Sequence, residues 1–164
     1  MSRLWDLLPV DTREKIQELL TEAPVRLTAI ANMLGVTVIA APLPQGISGE
    51  IRPDPSAPGK FVIKVNKFDA SKRQRFTVAH ELSHFLFHRH EIGSGVTDDV
   101  LYRSNLSDAR EVQANKFAAE LLMPMPLVEE WLDRAATLKV SDPVEFLANK
   151  FNVSEAAMRI RLGL

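Results

Sequence analysis

A chain of 164 residues, 46% hydrophobic and 25% charged, is long enough to bury a core and has the make-up of an ordinary folded domain. Its 20 Lys and Arg against 21 Asp and Glu leave a net charge of −1, so no whole-molecule field gathers nucleic acid or anionic membrane. The absence of cysteine excludes disulfides, thiolate metal sites and cysteine nucleophiles.

The opening MSRLWDLLPVDTREK lacks the continuous apolar stretch of a signal peptide, and no run approaches the roughly eighteen apolar residues that span a bilayer. A cytoplasmic protein with no membrane partner is expected. Asp11 and Glu14 have the spacing of a capping box, ahead of a helix with Ile16, Leu19 and Leu20 on its apolar stripe. A second helix is expected over 24–34, with Leu27, Ile30, Ala31 and Leu34 on one side and Gly35 as its stop. The pattern then turns β-branched. Strands are expected at 36–39, 47–51 and 61–65, the last two antiparallel across the turn-rich RPDPSAPGK. Helices follow at 72–88, 107–122 and 126–138, with two short ones to the end, and 91–105 reads as a surface loop.

The helix expected at 72–88 opens into the stretch FTVAHELSHFLFHRH, residues 76–90, which holds the chain's four histidines. His80-Glu81-Leu82-Ser83-His84 is an H-E-x-x-H element. Residues four apart on a helix share a face, so both imidazoles can reach one ion. Zinc takes such nitrogens at about 2.0–2.1 Å and, in hydrolytic sites, keeps one position for water. Glu81, beside that position, is the expected base. Three fixed residues can also match by chance on an amphipathic helix. Here Phe76, Val78, Ala79, Leu82, Phe85 and Leu86 make the helix apolar on much of its surface, and a buried Glu beside buried His is costly unless a metal compensates.

A third ligand is needed. His90 would suit an H-E-x-x-H-x-x-G-x-x-H site, but Phe87 stands where that site has Gly, and a continuing helix carries His90 about 15 Å from His80. His88, one turn beyond His84, suits a role behind the ligands or in packing. Glu111 is the expected ligand. It lies in SDAREVQANKFAAELLMP, where Ser107 is a candidate cap and Ala114, Asn115, Ala118 and Leu122 share its face. Small residues there permit close approach to the histidine helix. The alternative is that Glu111 is a surface charge favoured by the helix dipole. Glu120 is expected to face solvent on the opposite side.

Together, RFTVAHELSHFLFH and EVQANKFAAELLMP resemble the ImmA/IrrE family of metallo-endopeptidases, whose second element is E-x-x-A-N-x-F-A-x-x-L-L-M-P. IANMLGVTV, ISGEI and FVIKVN look like the family's lead-in helix and sheet. The resemblance covers roughly 24–124 and departs from the commonest motif at Ser83, where Gly is frequent. It implies zinc, with manganese as the alternative ion, held by His80, His84 and Glu111, and Glu81 as base. It also implies a substrate class: Xre-type helix-turn-helix repressors, cut to relieve repression, often encoded next door. A different class of function is a non-proteolytic anti-repressor or toxin–antitoxin component whose metal serves structure. Tyr102 and Arg103, in the loop before Glu111, are candidate oxyanion donors, with loop anchoring as the alternative.

Direct DNA binding is not expected. LTAIANMLGVTV runs into a strand, and the helix-turn-helix-like PVEFLANKFNVSEAAMRIRLGL offers few phosphate contacts beyond Arg159 and Arg161. The expected architecture is α+β and mostly helical. A small three-stranded, largely antiparallel sheet packs on the H-E-x-x-H helix in a zincin-like domain, residues 1–124. A helical segment, 125–164, packs on it as one compact unit.

Overall fold

The computed structural model of the chain describes residues 1–93, 95–99 and 108–164. Their order is α1 (Val10–Glu18), α2 (Leu27–Met33), β1 (Val36–Ala41), β2 (Ile47–Pro53), β3 (Phe61–Asn66), α3 (Ser71–Phe87), β4 (Val96–Asp99), α4 (Asp108–Leu122), α5 (Met125–Thr137), α6 (Pro143–Phe151) and α7 (Glu155–Leu162). Short 3-10 turns occupy Trp5–Leu7 and Arg89–Glu91. The protein is α+β and mostly helical. None of the described helices is long and apolar enough to cross a membrane.

The chain divides into two compact units, Leu27–Ala118 and the pair of segments Met1–Arg26 with Ala119–Leu164. In the first, the sheet runs β1-β3-β2-β4. β2 and β3 pair antiparallel, with Ile51 opposite Ile63, and β1 joins β3 parallel, with Val38 opposite Ile63. The connection between β2 and β3 is stapled by Asp54, whose Oδ1 accepts from the Ser56 N–H at 2.9 Å and hydroxyl at 2.7 Å. That local bond is why an Asp opens the turn. β4 is a strand inside the stretch that reads as a loop. It pairs antiparallel to β2 past an irregularity between Ile47 and Gly49. Asp98 and Asp99 disguise it, because aspartate is depleted in strands and the β2 edge supplies the backbone partners.

Gly35 ends α2 with φ +75°, a left-handed turn that a Cβ makes costly. Leu27, Ile30 and Ala31 are buried as their spacing requires. α3 lies against β2 and β3. Every residue from Thr77 to Phe85 is buried, which agrees with a helix apolar on most of its surface. Gly49 permits the approach: a Cβ there would stand 2.4 Å from Thr77 Cγ2 and 2.9 Å from the Lys64 carbonyl oxygen. Phe85 meets Phe61 edge-on at 5.2 Å, and Phe87 meets Phe117 of α4 at 4.8 Å.

In the second unit the capping box at Asp11 does not form. α1 begins at Val10 behind Pro9, whose fixed φ and missing N–H suit a helix start, and Asp11 pairs instead with Lys15 at 2.9 Å. Ser154 does cap α7, accepting from the Ala157 N–H, and Asp142 caps α6 through the Glu145 N–H. Asn152 makes the turn between them in a left-handed conformation. Glu120 is not a solvent carboxylate. It is buried, and its Oε2 accepts the Trp5 indole N–H at 2.7 Å. Its partner lies 115 residues away in sequence, beyond the reach of helical spacing.

Candidate metal centre

α3 places His80 and His84 one turn apart, and α4 offers Glu111 from its first turn. The two Nε2 atoms are 3.0 Å apart. Glu111 Oε2 stands 3.2 Å from His80 Nε2, and Oε1 stands 3.1 Å from His84 Nε2. His84 is fully buried, His80 nearly so, and the Glu111 side chain is 18% exposed. Glu81 is fully buried in the same turn of α3. Ser83, where the resemblance favours Gly, is buried too, and its hydroxyl donates to the Ala79 carbonyl at 2.8 Å. A small hydroxyl that bonds its own helix is accommodated without distortion.

The donor chemistry of these three residues suits a cation. Ligand atoms about 2.0–2.1 Å from a tetrahedral ion lie about 3.3 Å from one another, close to the spacing seen here. Hydrogen bonding explains the contacts less well. Each neutral imidazole carries one N–H, so the three close contacts share at most two protons, and one of them joins nitrogen to nitrogen. His80, His84 and Glu111 form a group that could hold a metal ion.

Behind the pair, His84 Nδ1 meets His88 Nδ1 at 2.9 Å, and His88 Nε2 meets Gln113 Oε1 at 2.6 Å. Burial pushes His88 below the usual imidazole range, with the Gln113 bond opposing and His84 reinforcing that shift. His90 is not brought to this group. α3 stops at Phe87 and does not run on, so His90 sits exposed in the 3-10 turn. Tyr102 and Arg103, and the cap at Ser107, lie outside the described residues.

A cleft of about 310 Å³ opens beside the histidines, lined by Ser48, Arg73, Phe76 and Asn115 next to His80 and Glu111. The Arg73 guanidinium donates to Ser48 Oγ at 3.1 Å and 3.3 Å. Phe76 stacks on His80 with ring centroids 6.2 Å apart. Sequence reasoning missed Arg73 and Gln113. A signal existed for the first, because 73, 77, 80, 84 and 88 recur at helical spacing on one face. For Gln113 there was none.

The model of the IrrE N-terminal-like domain family (peptidase M78) matches residues 31–163. The chain belongs to this family. The radiation response metalloprotease IrrE of Deinococcus radiodurans is 34% identical over 77 residues, 47% of this chain and 24% of that protein. A Mycobacterium tuberculosis transcriptional regulator shares the fold with a TM-score of 0.56 at 21% identity, over 94% of this chain and 47% of that one. The chain thus spans about a quarter of the length of the first relative and about half of the second. Family membership covers the H-E-x-x-H helix and the Glu111 helix alike.

Proposed function

We propose that the chain is a zinc-dependent endopeptidase, with His80, His84 and Glu111 as metal ligands and Glu81 as general base. The observation that carries this reading is the convergence of two imidazole nitrogens and a carboxylate, from two helices, to mutual distances of 3.0–3.2 Å. A zinc ion held there supplies Lewis acidity and makes water acidic enough to react near neutral pH; manganese is the alternative ion. The residues do the rest. Glu81, on the turn between the two histidines, takes a proton from the attacking water as the new C–O bond forms at the peptide carbonyl. It delivers that proton to the amine as the C–N bond breaks. The cleft beside His80 receives the peptide.

The substrate we propose is an Xre-type helix-turn-helix repressor encoded nearby, cut to relieve repression in the cytoplasm. The catalytic part we propose is residues 1–124, with its site residues in the unit Leu27–Ala118; 125–164 is proposed as an accessory helical segment, although Met1–Arg26 and residues 119–124 group with it in the other unit. One observation supports a protein substrate over direct DNA binding. Of the two arginines on α7, Arg161 donates from Nε to the Met123 carbonyl at 2.9 Å and is committed to the protein itself.

The test is to incubate the zinc-loaded chain with the neighbouring repressor and read intact masses. Two fragments are expected with the wild-type protein. Glu81→Gln should slow cleavage about 10²–10⁴-fold while retaining the metal. An intact repressor that co-elutes with the chain would instead support the anti-repressor reading. Undiminished cutting by Glu81→Gln would displace the assignment of the base.

A further inference from the structure

A metal ligand must present a lone pair, and an imidazole has two nitrogens between which its proton can move. What fixes the proton of His84 away from the ion is visible in the contacts behind it. Gln113 Oε1 stands 2.6 Å from His88 Nε2. A carbonyl oxygen only accepts, so the proton between them belongs to His88 Nε2. With one proton on each ring, His88 Nδ1 is then bare, and that atom lies 2.9 Å from His84 Nδ1. The proton of this second bond must come from His84 Nδ1. Neutral His84 thereby keeps no proton on Nε2, the nitrogen that stands 3.1 Å from Glu111.

We propose that Gln113, acting through His88, is a positioning residue that sets the metal-binding tautomer of His84. This inference rests on the metal-centre reading above for its purpose, though not for its geometry. Every link has a direction. Were the Gln113 amide reversed, its NH2 would donate to His88 Nε2, His88 would donate from Nδ1, and His84 would be left protonated on Nε2. In that state it cannot ligate an ion until the chain of bonds is rearranged. The orientation of one half-buried side chain on α4 therefore decides whether α3 is ready for metal. Histidine ligands generally hand their outer N–H to an acceptor, and here that acceptor is a second histidine, itself oriented from another helix.

The experiment uses the full chain, first without metal. Nitrogen-15 spectra of the imidazoles report which nitrogen of each ring bears the proton. His84 is expected protonated on Nδ1 and His88 on Nε2. Gln113→Leu removes the acceptor. It should mix the His84 tautomers and weaken zinc binding about 10–100-fold in a chelator competition. The proposal is overturned if wild-type His84 carries its proton on Nε2, or if Gln113→Leu matches the wild type in both tautomer and affinity. Should Gln113→Leu fail to fold, the wild-type spectra still decide the tautomer. A separate arm tests the underlying reading: if His84→Ala binds zinc as tightly as wild type, the metal centre is wrong, whatever the tautomer of the metal-free ring.

Discussion

Two carboxylates of helix α4, Glu111 and Glu120, stand nine positions apart, each facing nitrogen heterocycles, and they are held in different ways. Glu120 accepts from the Trp5 indole at 2.7 Å. An indole nitrogen only donates, so that contact is complete as it stands, and burial is offset by a charge-assisted bond. Glu111 faces two imidazoles at 3.1 Å and 3.2 Å, and these two also face one another. An imidazole nitrogen donates or accepts according to its proton, and there are too few protons for every contact. Glu120 is the more deeply buried and makes the shorter contact, while the Glu111 side chain stays 18% exposed. What separates a structural carboxylate from a candidate ligand is whether its neighbours can offer lone pairs to a third party.

The sharpest way to break this comparison is to neutralise each carboxylate in turn. Glu111→Gln should weaken zinc binding more than about 100-fold, since a lost ligand costs more than a lost outer contact. It should leave the metal-free protein within about 1 kcal/mol of wild type, because glutamine keeps the size of the side chain and one carbonyl oxygen facing the imidazoles. Metal titration followed by thermal unfolding of the metal-free form reads both quantities. A large loss of metal-free stability would mean that Glu111 belongs with Glu120.

The complementary substitution is Glu120→Leu. It takes the acceptor from a buried indole N–H and should cost about 1–3 kcal/mol in denaturant unfolding, with zinc affinity unchanged. Glu120→Gln still presents a carbonyl oxygen to Trp5 and should recover most of that loss. If Glu120→Leu lowered zinc affinity as Glu111→Gln does, the two ends of α4 would not be doing separate jobs.

How much of this could be read in advance follows the same division. His80, His84 and Glu111 were legible because helical periodicity and ligand spacing are local properties of a sequence. The three longer strands were legible because β-branched runs between turn residues leave few alternatives. Glu120 was misjudged because its donor comes from residue 5, and no local pattern encodes that pairing. β4 was hidden because only Val96 and Thr97 favour a strand, two aspartates follow them, and its pairing depends on an edge made 45 to 52 residues earlier in the chain. The end of α3 at Phe87 lies one residue from the expected 88. His88 takes φ −126° at that end, and its ring is drawn into the bond with Gln113, so the chain leaves the helix before His90.

A third carboxylate carries the comparison to the surface, where the smallest effect is expected. Glu91 meets Arg110 through two bonds, at 2.8 Å and 3.2 Å, and both side chains are exposed. The Arg110 hydrogen bond holds the Glu91 carboxyl below its ordinary value of 4.5. A depressed folded value means that the unfolded chain takes up the proton first. The pair therefore stabilises the fold above pH 4.5, and the contribution fades as pH falls through the lower folded value. Acid unfolding curves of wild type and Arg110→Ala should coincide in slope above pH 5 and diverge below it, with the wild type losing more stability on acidification. Water and salt screen an exposed pair, so the difference should shrink further in about 0.5 M salt, where the Debye length is only a few ångströms. Identical acid slopes for the two proteins would show that even a two-bond ion pair contributes nothing measurable once both partners face solvent, and that burial separates Glu91 from Glu120 more than the partner does.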